Sequence, residues 1–218
     1  MAKAIHDLDD LRRYLGEHAP FLGARSGRET GIEALDRLLA MGAGTGLPQG
    51  ALTVLGGAPG SGRASLAAHV LARETSEGRP VAWIDVRRTL YPPALVQAGV
   101  ELKRLLVVRT DAERAVYAAE QLAGSGAFRV VVLSGLEGHL GPQRTRRLQT
   151  AAESGETSAL VLLDPEREPS LTSAALELRL ERRPGGVMVT VKRDRMGPSG
   201  RRTFVPLEGS PREIAVAA

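Results

Sequence analysis

Leu55-Gly56-Gly57-Ala58-Pro59-Gly60-Ser61-Gly62-Arg63-Ala64-Ser65 is the stretch that decides the fold of this 218-residue chain. A short apolar run, Ala51–Leu55, leads into it, and Ser61–Thr75 leaves it with the spacing of an amphipathic helix. Strand, glycine turn and helix in that order are the setting in which a backbone closes around phosphate. The usual pattern, G-x-x-x-x-G-K-[ST], uses its glycines for close approach, its Lys for the outer phosphates and its hydroxyl for magnesium. Gly57 and Gly62 keep the spacing, but the Lys position holds Arg63 and the hydroxyl position holds Ala64. Arg63 can still meet a phosphate, as a longer planar donor. Ala64 cannot ligate magnesium, and Ser65 comes one residue late, about 100° around the helix. The residues Gly57, Gly60, Gly62, Arg63, Ala64 and Ser65 therefore predict a loop of phosphate-binding shape without efficient hydrolysis. A weak but working nucleotide site is the alternative.

Outward from the loop, short apolar runs recur at Val81–Ile84, Leu105–Val108, Val130–Leu133 and Ala159–Leu163. Helix-like segments at Ala112–Leu122 and Pro142–Ala152 separate most of them. Apolar runs that do not alternate, divided by helices, indicate strands buried on both faces of a parallel sheet. After Pro169 the pattern changes: Ala175–Glu181, Gly186–Lys192 and Thr203–Pro206 alternate and are joined by Gly/Pro turns, as antiparallel hairpins are. The fold class is α/β, with a mainly parallel central sheet, an antiparallel C-terminal edge and a small N-terminal helix. The expected organisation is a helical appendage over 1–22, a linker over 23–30, a core over 31–208 and a tail over 209–218. Trp83 is expected in the core, and Tyr91-Pro92-Pro93 in a turn whose aromatic can alternatively anchor a partner.

Catalytic carboxylates belong at strand ends. The run Val130-Val131-Val132-Leu133-Ser134-Gly135 stands where a magnesium Asp is needed and offers Leu133-Ser134 instead. Two other runs do end in Asp, at Asp85 and Asp164; each is either a displaced metal ligand or a cap of the following turn.

Composition narrows the classes. The chain has no cysteine, so disulfides and thiolate chemistry are out, in keeping with a reducing cytoplasm. Its four histidines (His6, His18, His69, His139) form no close pair, so no zinc site and no other metal site is expected. No apolar run approaches the ~20 residues of a membrane helix, and MAKAIHDLDD is charged where a secretory signal is apolar. A soluble, cytoplasmic protein is expected. Lys+Arg 29 against Asp+Glu 25 leaves a net charge of +4, yet residues 182–202 alone hold seven basic side chains against Asp194. The charge is clustered there, on Arg182, Arg183, Lys192, Arg193, Arg195, Arg201 and Arg202, and in a second knot at Arg144, Arg146 and Arg147. Clustered arginine suits a phosphate backbone, so non-specific DNA binding at both knots is expected. No aromatic lies inside either knot to stack on bases, and a basic face meeting an acidic partner is the alternative. Leu8, Leu11 and Leu15 share one stripe of a predicted helix over 7–16 and are the candidate partner-binding residues.

The sequence resembles the RecA-like recombinases over roughly 30–206. The likeness is carried by Thr30-Gly31-Ile32-Glu33-Ala34-Leu35-Asp36, Gly46-Leu47-Pro48-Gln49-Gly50, the loop at 56–65, Val81–Asp85 and the run VKRDRMGPSG at 191–200. The resemblance implies a RecA-like P-loop core. It also implies that the family's catalytic Glu is replaced within Val86-Arg87-Arg88, its magnesium Asp by Leu133 and its phosphate-sensing Gln near Asp164. The DPEREPSLTS stretch after Leu163 is short and acidic beside the DNA loop of such recombinases. A degenerate ATPase that is not an enzyme and needs no cofactor follows from these departures.

A narrower resemblance is to the ImuA family of RecA-like accessory proteins of bacterial mutagenesis cassettes. It rests on Leu90-Tyr91-Pro92-Pro93-Ala94-Leu95-Val96-Gln97-Ala98-Gly99-Val100 with Leu105–Arg109, on Arg147–Glu153, and on Ser173–Leu180. This likeness implies a nucleoid-associated adaptor in SOS-induced, error-prone translesion synthesis. Its implied partners are a Y-family polymerase homologue (ImuB-like), a C-family error-prone polymerase and RecA. The N-terminal helix is expected to serve self-association or docking on a recombinase-like neighbour, with packing on its own domain as the alternative. Two other readings stay open: a DNA-dependent ATPase with an atypical loop, and a RecA-related cell-division inhibitor.

Overall fold

Every residue of the run Ala51–Gly56 is buried, which only a strand covered on both faces achieves. The computed structural model describes residues 27–40, 45–136, 140–163 and 173–206, and this strand lies inside its main sheet. In chain order the elements are β1 (Gly27–Arg28), α1 (Glu33–Leu39), β2 (Leu47–Pro48), β3 (Ala51–Gly56), α2 (Arg63–Ser76), β4 (Val81–Asp85) and α3 (Pro92–Gln97). A 3₁₀ turn over Leu102–Arg104 then leads into β5 (Leu105–Val108), α4 (Ala112–Gly124), β6 (Val130–Ser134), α5 (Pro142–Ser154) and β7 (Ser158–Leu163). Three further strands follow, β8 (Leu176–Arg183), β9 (Gly186–Asp194) and β10 (Arg202–Pro206).

The eight-stranded sheet runs β10-β9-β8-β3-β7-β6-β4-β5. Pairing is parallel from β8 across to β5 and antiparallel for β8–β9 and β9–β10. The fold is thus α/β with a central, mainly parallel sheet and an antiparallel C-terminal edge, as the sequence predicts. Two apolar cores sandwich the parallel strands. One gathers Leu35 of α1, Leu66 and Val70 of α2, and Leu95 of α3 over Trp83, Leu55 and the inner side of β8–β10. The other packs Ala115 and Ala119 of α4 and Leu148 of α5 over Leu52, Val54, Ile84 and Leu133. Trp83 is core, at 2% exposure.

Three local expectations are corrected. Tyr91-Pro92-Pro93 is not a turn: the prolines open α3, and Tyr91 is its N-cap. Proline fits there because its fixed φ suits a first helical turn whose amides have no partners anyway. The helix after the glycine loop begins at Arg63 rather than Ser61, because Gly62 stands at φ +92°, outside helical space. The described part of the 23–30 stretch is not a free linker, since Gly27 and Arg28 pair antiparallel with Pro48 and Leu47. Thr30 then closes on α1: its amide and hydroxyl both donate to Asp36 Oδ1 at 2.8 Å. The helix expected over 7–16, Asp164 and the tail 209–218 lie outside the described residues.

A charged cluster sits at the amino ends of the strands. Glu74 of α2 is 1% exposed. It accepts Arg28 Nη1 at 3.3 Å on both carboxylate oxygens and Arg79 Nη1 at 3.1 Å. That pairing joins β1 to the far end of the helix that leaves the glycine loop.

Candidate functional site

The carboxyl ends of β3, β4, β6 and β7 open on one side of the sheet. The crossovers after β3 and β4 carry α2 and α3 on one face, and those after β5 and β6 carry α4 and α5 on the other. The connections therefore reverse between β4 and β6, and the crevice at such a reversal is where open α/β sheets bind ligands. The glycine loop lines this end. A Cβ on Gly57 would meet Ser61 Oγ at 2.3 Å and the Leu180 carbonyl at 2.7 Å, so no other residue fits there. At Gly60 (φ +81°) a Cβ would meet nothing, which marks the loop's open mouth. The Gly57 amide donates to the Leu163 carbonyl at 3.0 Å, tying the loop to the end of β7.

Arg63 Nη1 donates to the Gly57 carbonyl at 2.6 Å, bracing the loop from its last residue back to its first. The amides of the first turn of α2 have no intrahelical partner and face outward, as at any helix start. The first turn holds no acidic side chain, and no side chain caps it. The backbone thus keeps a geometry that suits an anion.

Among the described residues, the positions at which the sequence analysis looks for magnesium ligands are taken up otherwise. Ala64 is exposed and carries only a methyl. Leu133 is buried in the α4/α5 core at 1% exposure. Ser134 Oγ accepts Trp83 Nε1 at 2.8 Å and donates to the Ile84 carbonyl at 3.2 Å. Asp85 is fully buried, and its carboxylate accepts the amides of Thr89 at 3.2 Å and Leu90 at 2.9 Å. Asp85 therefore caps the turn after β4, the structural alternative drawn from the sequence. Arg87 packs against Gly135, where a Cβ would meet its side chain at 2.7 Å. Among the described residues no group of three or more His, Asp or Glu side chains is arranged to hold a metal ion.

The basic residues separate into distinct environments. Arg144, Arg146 and Arg147 are exposed on α5. Arg147 Nη2 donates to the buried Glu120 of α4 at 2.6 Å, which pins the two helices together. Arg146 and Arg147 line a groove of about 820 Å³ between them. On the hairpins, Lys192 and Arg202 are exposed and Arg193 is half-buried. Arg201 has a structural role: it donates to the Leu38 carbonyl, to Asp194 Oδ2 at 3.1 Å and to the Pro198 carbonyl at 3.1 Å. Arg195 Nη2 likewise donates to the Ser173 carbonyl at 2.6 Å. Leu8, Leu11 and Leu15 lie outside the described residues.

Two features escape a reading of basic clusters alone. Phe204 is 39% exposed, on the same face of the hairpin sheet as Arg202. Met188 pairs with it across β9–β10. The signal was the alternation of 202–206, which sets Arg202, Phe204 and Pro206 on one side. Among the described residues no helix is long and apolar enough to cross a membrane.

Comparison with known proteins gives a consistent picture. The model of the RecA N-terminal domain matches residues 24–145. The RecA protein of Aquifex aeolicus is 32% identical over 160 residues, covering 64% of this chain and 45% of that protein. RecA of Bifidobacterium breve is 37% identical over 105 residues, covering 48% of this chain and 26% of that protein. RecA of Gluconobacter oxydans reaches 38% over 105 residues, 48% and 30% respectively. The chain spans less than half the length of the curated relatives it matches.

Proposed function

The chain belongs to the RecA N-terminal domain family, and from that premise we propose that it is a non-catalytic, ImuA-like adaptor in error-prone translesion synthesis, binding a Y-family polymerase homologue. The observation that carries this reading is the fate of the β6 end. Where hydrolysis needs a magnesium carboxylate, Leu133 is core and the Ser134 hydroxyl is held between Trp83 and Ile84. Ala64 and Arg87 add to it, since phosphoryl transfer rests almost wholly on metal and positioned charge. A domain that gives these positions to packing while keeping two full cores has its surfaces left to work with. DNA contact, where it occurs, is sequence-blind and falls off with salt at about 0.7–0.9 in log affinity per phosphate neutralised.

Two measurements test the reading. Incubation with ATP, magnesium and single-stranded DNA should give no turnover above background; turnover abolished by Arg63→Ala would sink it. Purified chain and the Y-family polymerase homologue of the same genome should co-elute at micromolar concentration and low salt, and separate elution ends the adaptor role. The braced loop favours one second reading, a nucleotide-binding protein without hydrolysis. Arg63 braces the loop across to the Gly57 carbonyl at 2.6 Å, and binding of a fluorescent nucleotide without turnover would select it.

A further inference from the structure

The sheet is not covered evenly. β3, β4, β6 and β7 are buried on both faces, but β8, β9 and β10 give side chains only to the core under α1–α3. Among the described residues, neither core reaches their other face. Cross-strand pairing fixes its pattern in three rows: Arg183, Gly186 and Pro206; Glu181, Met188 and Phe204; Arg179, Thr190 and Arg202. Lys192 extends the last row along β9. Gly186 has a role here: a Cβ on it would meet the Val205 carbonyl at 2.3 Å and Phe204 Cζ at 2.6 Å, so only glycine lets β10 and its phenyl ring come this close. The face therefore has an apolar centre of Met188 and Phe204 with cations around it.

We propose that this open face of β8–β10, centred on Met188 and Phe204, docks a short acidic amphipathic helix of the polymerase-like partner. The inference rests on the adaptor reading and gives it an address. Three strands present about 10 Å of width, and Gly186 to Lys192 about 20 Å of length. A single helix about 10 Å across fills that footprint and a second globular surface does not. Arg179, Arg183, Lys192, Arg193 and Arg202 stand against Glu177 and Glu181, so the face carries a net positive charge that an acidic helix complements. An apolar side chain on that helix meets Phe204 and Met188, the residue types that anchor small interfaces.

A nucleic-acid strand suits the face less well. Glu181 sits in the central row and pairs with Arg183 at 3.0 Å and Arg179 at 3.6 Å, so a phosphate chain laid along the three strands would cross a carboxylate. A single aromatic also makes a poor stacking platform for successive bases.

The test immobilises the polymerase homologue and titrates the full-length chain by biolayer interferometry. Met188→Ala with Phe204→Ala should weaken binding at least tenfold, which is about 1.4 kcal/mol. Lys192→Glu with Arg202→Glu changes only exposed side chains and carries the test if the first pair unfolds; it should weaken binding by a similar factor and flatten the salt dependence. Wild-type binding that both pairs leave unchanged overturns this inference and leaves the adaptor reading intact. Absent wild-type binding removes the adaptor reading itself, and the docking face with it. A fluorescent dT30 oligonucleotide supplies the last arm. If Phe204→Ala lowers affinity for dT30 while partner binding is unaffected, the face is a nucleic-acid platform and the proposal is wrong.

Discussion

The parallel half of the sheet and its antiparallel edge are built from one chain under opposite constraints. β3, β4, β6 and β7 lie between two cores, so nearly every side chain along them is packed. The described positions at the carboxyl ends of β4 and β6 are held by packing and capping: Asp85, Leu133 and Ser134. In β8–β10 the described residues pack only one side, and the other carries charged residues around Met188, Thr190 and Phe204. The difference teaches where change is tolerated. A new charge has nowhere to go in the first region and meets solvent in the second.

The severest way to break that contrast is to return a carboxylate to the β6 end. Leu133→Asp puts an unpaired charge among Ile84, Val131 and Leu148, and should cost about 3–5 kcal/mol or abolish folding. Urea unfolding measures it, and a stable Leu133→Asp protein would mean that the parallel half is less sealed than its burial indicates. Next comes the cluster at the strands' amino ends. Glu74→Ala leaves the buried Arg28 guanidinium without its carboxylate and should cost about 3 kcal/mol, read in the same experiment. Ser134→Ala is milder. It strips Trp83 Nε1 of its acceptor and should cost about 1–3 kcal/mol, with a shift in tryptophan fluorescence because the chain has a single Trp. On the open face Arg202→Ala should change stability by less than about 0.5 kcal/mol, and a larger loss would show that this face is covered after all.

The strands of the parallel half were legible because each is a short unalternating apolar run, and burial on both faces leaves no other pattern. The hairpins were legible by their alternation and their Gly/Pro turns. α1 and α3 were not, since seven and six residues give too little periodicity to read. In α3 the Pro-Pro pair also signals a turn and a helix start equally well. At the site, the glycine loop and the departures at Ala64 and Leu133 were visible as residue identities. The brace from Arg63 to Gly57 was not, because an Arg at that position predicts no particular partner. Arg201 and Arg195 looked like members of a cationic patch, and only tertiary carbonyls from Leu38 and Ser173 give them structural work. Phe204 falls outside the basic run in sequence. Register across β9–β10, which sequence alone does not set, brings it to Met188 and Arg202.

The order of strands also governs how the chain comes off the ribosome. β3 is among the first strands made, yet both of its sheet neighbours, β7 and β8, follow about a hundred residues later. At ~5–20 residues per second of synthesis, its backbone waits roughly 5–20 s for a partner. During that interval a strand that is wholly buried in the finished sheet exposes both of its edges, while β4 and β5 can already pair with each other. Slow codons or a holding chaperone acting between the synthesis of β3 and that of β7 would lengthen or shield that exposed interval.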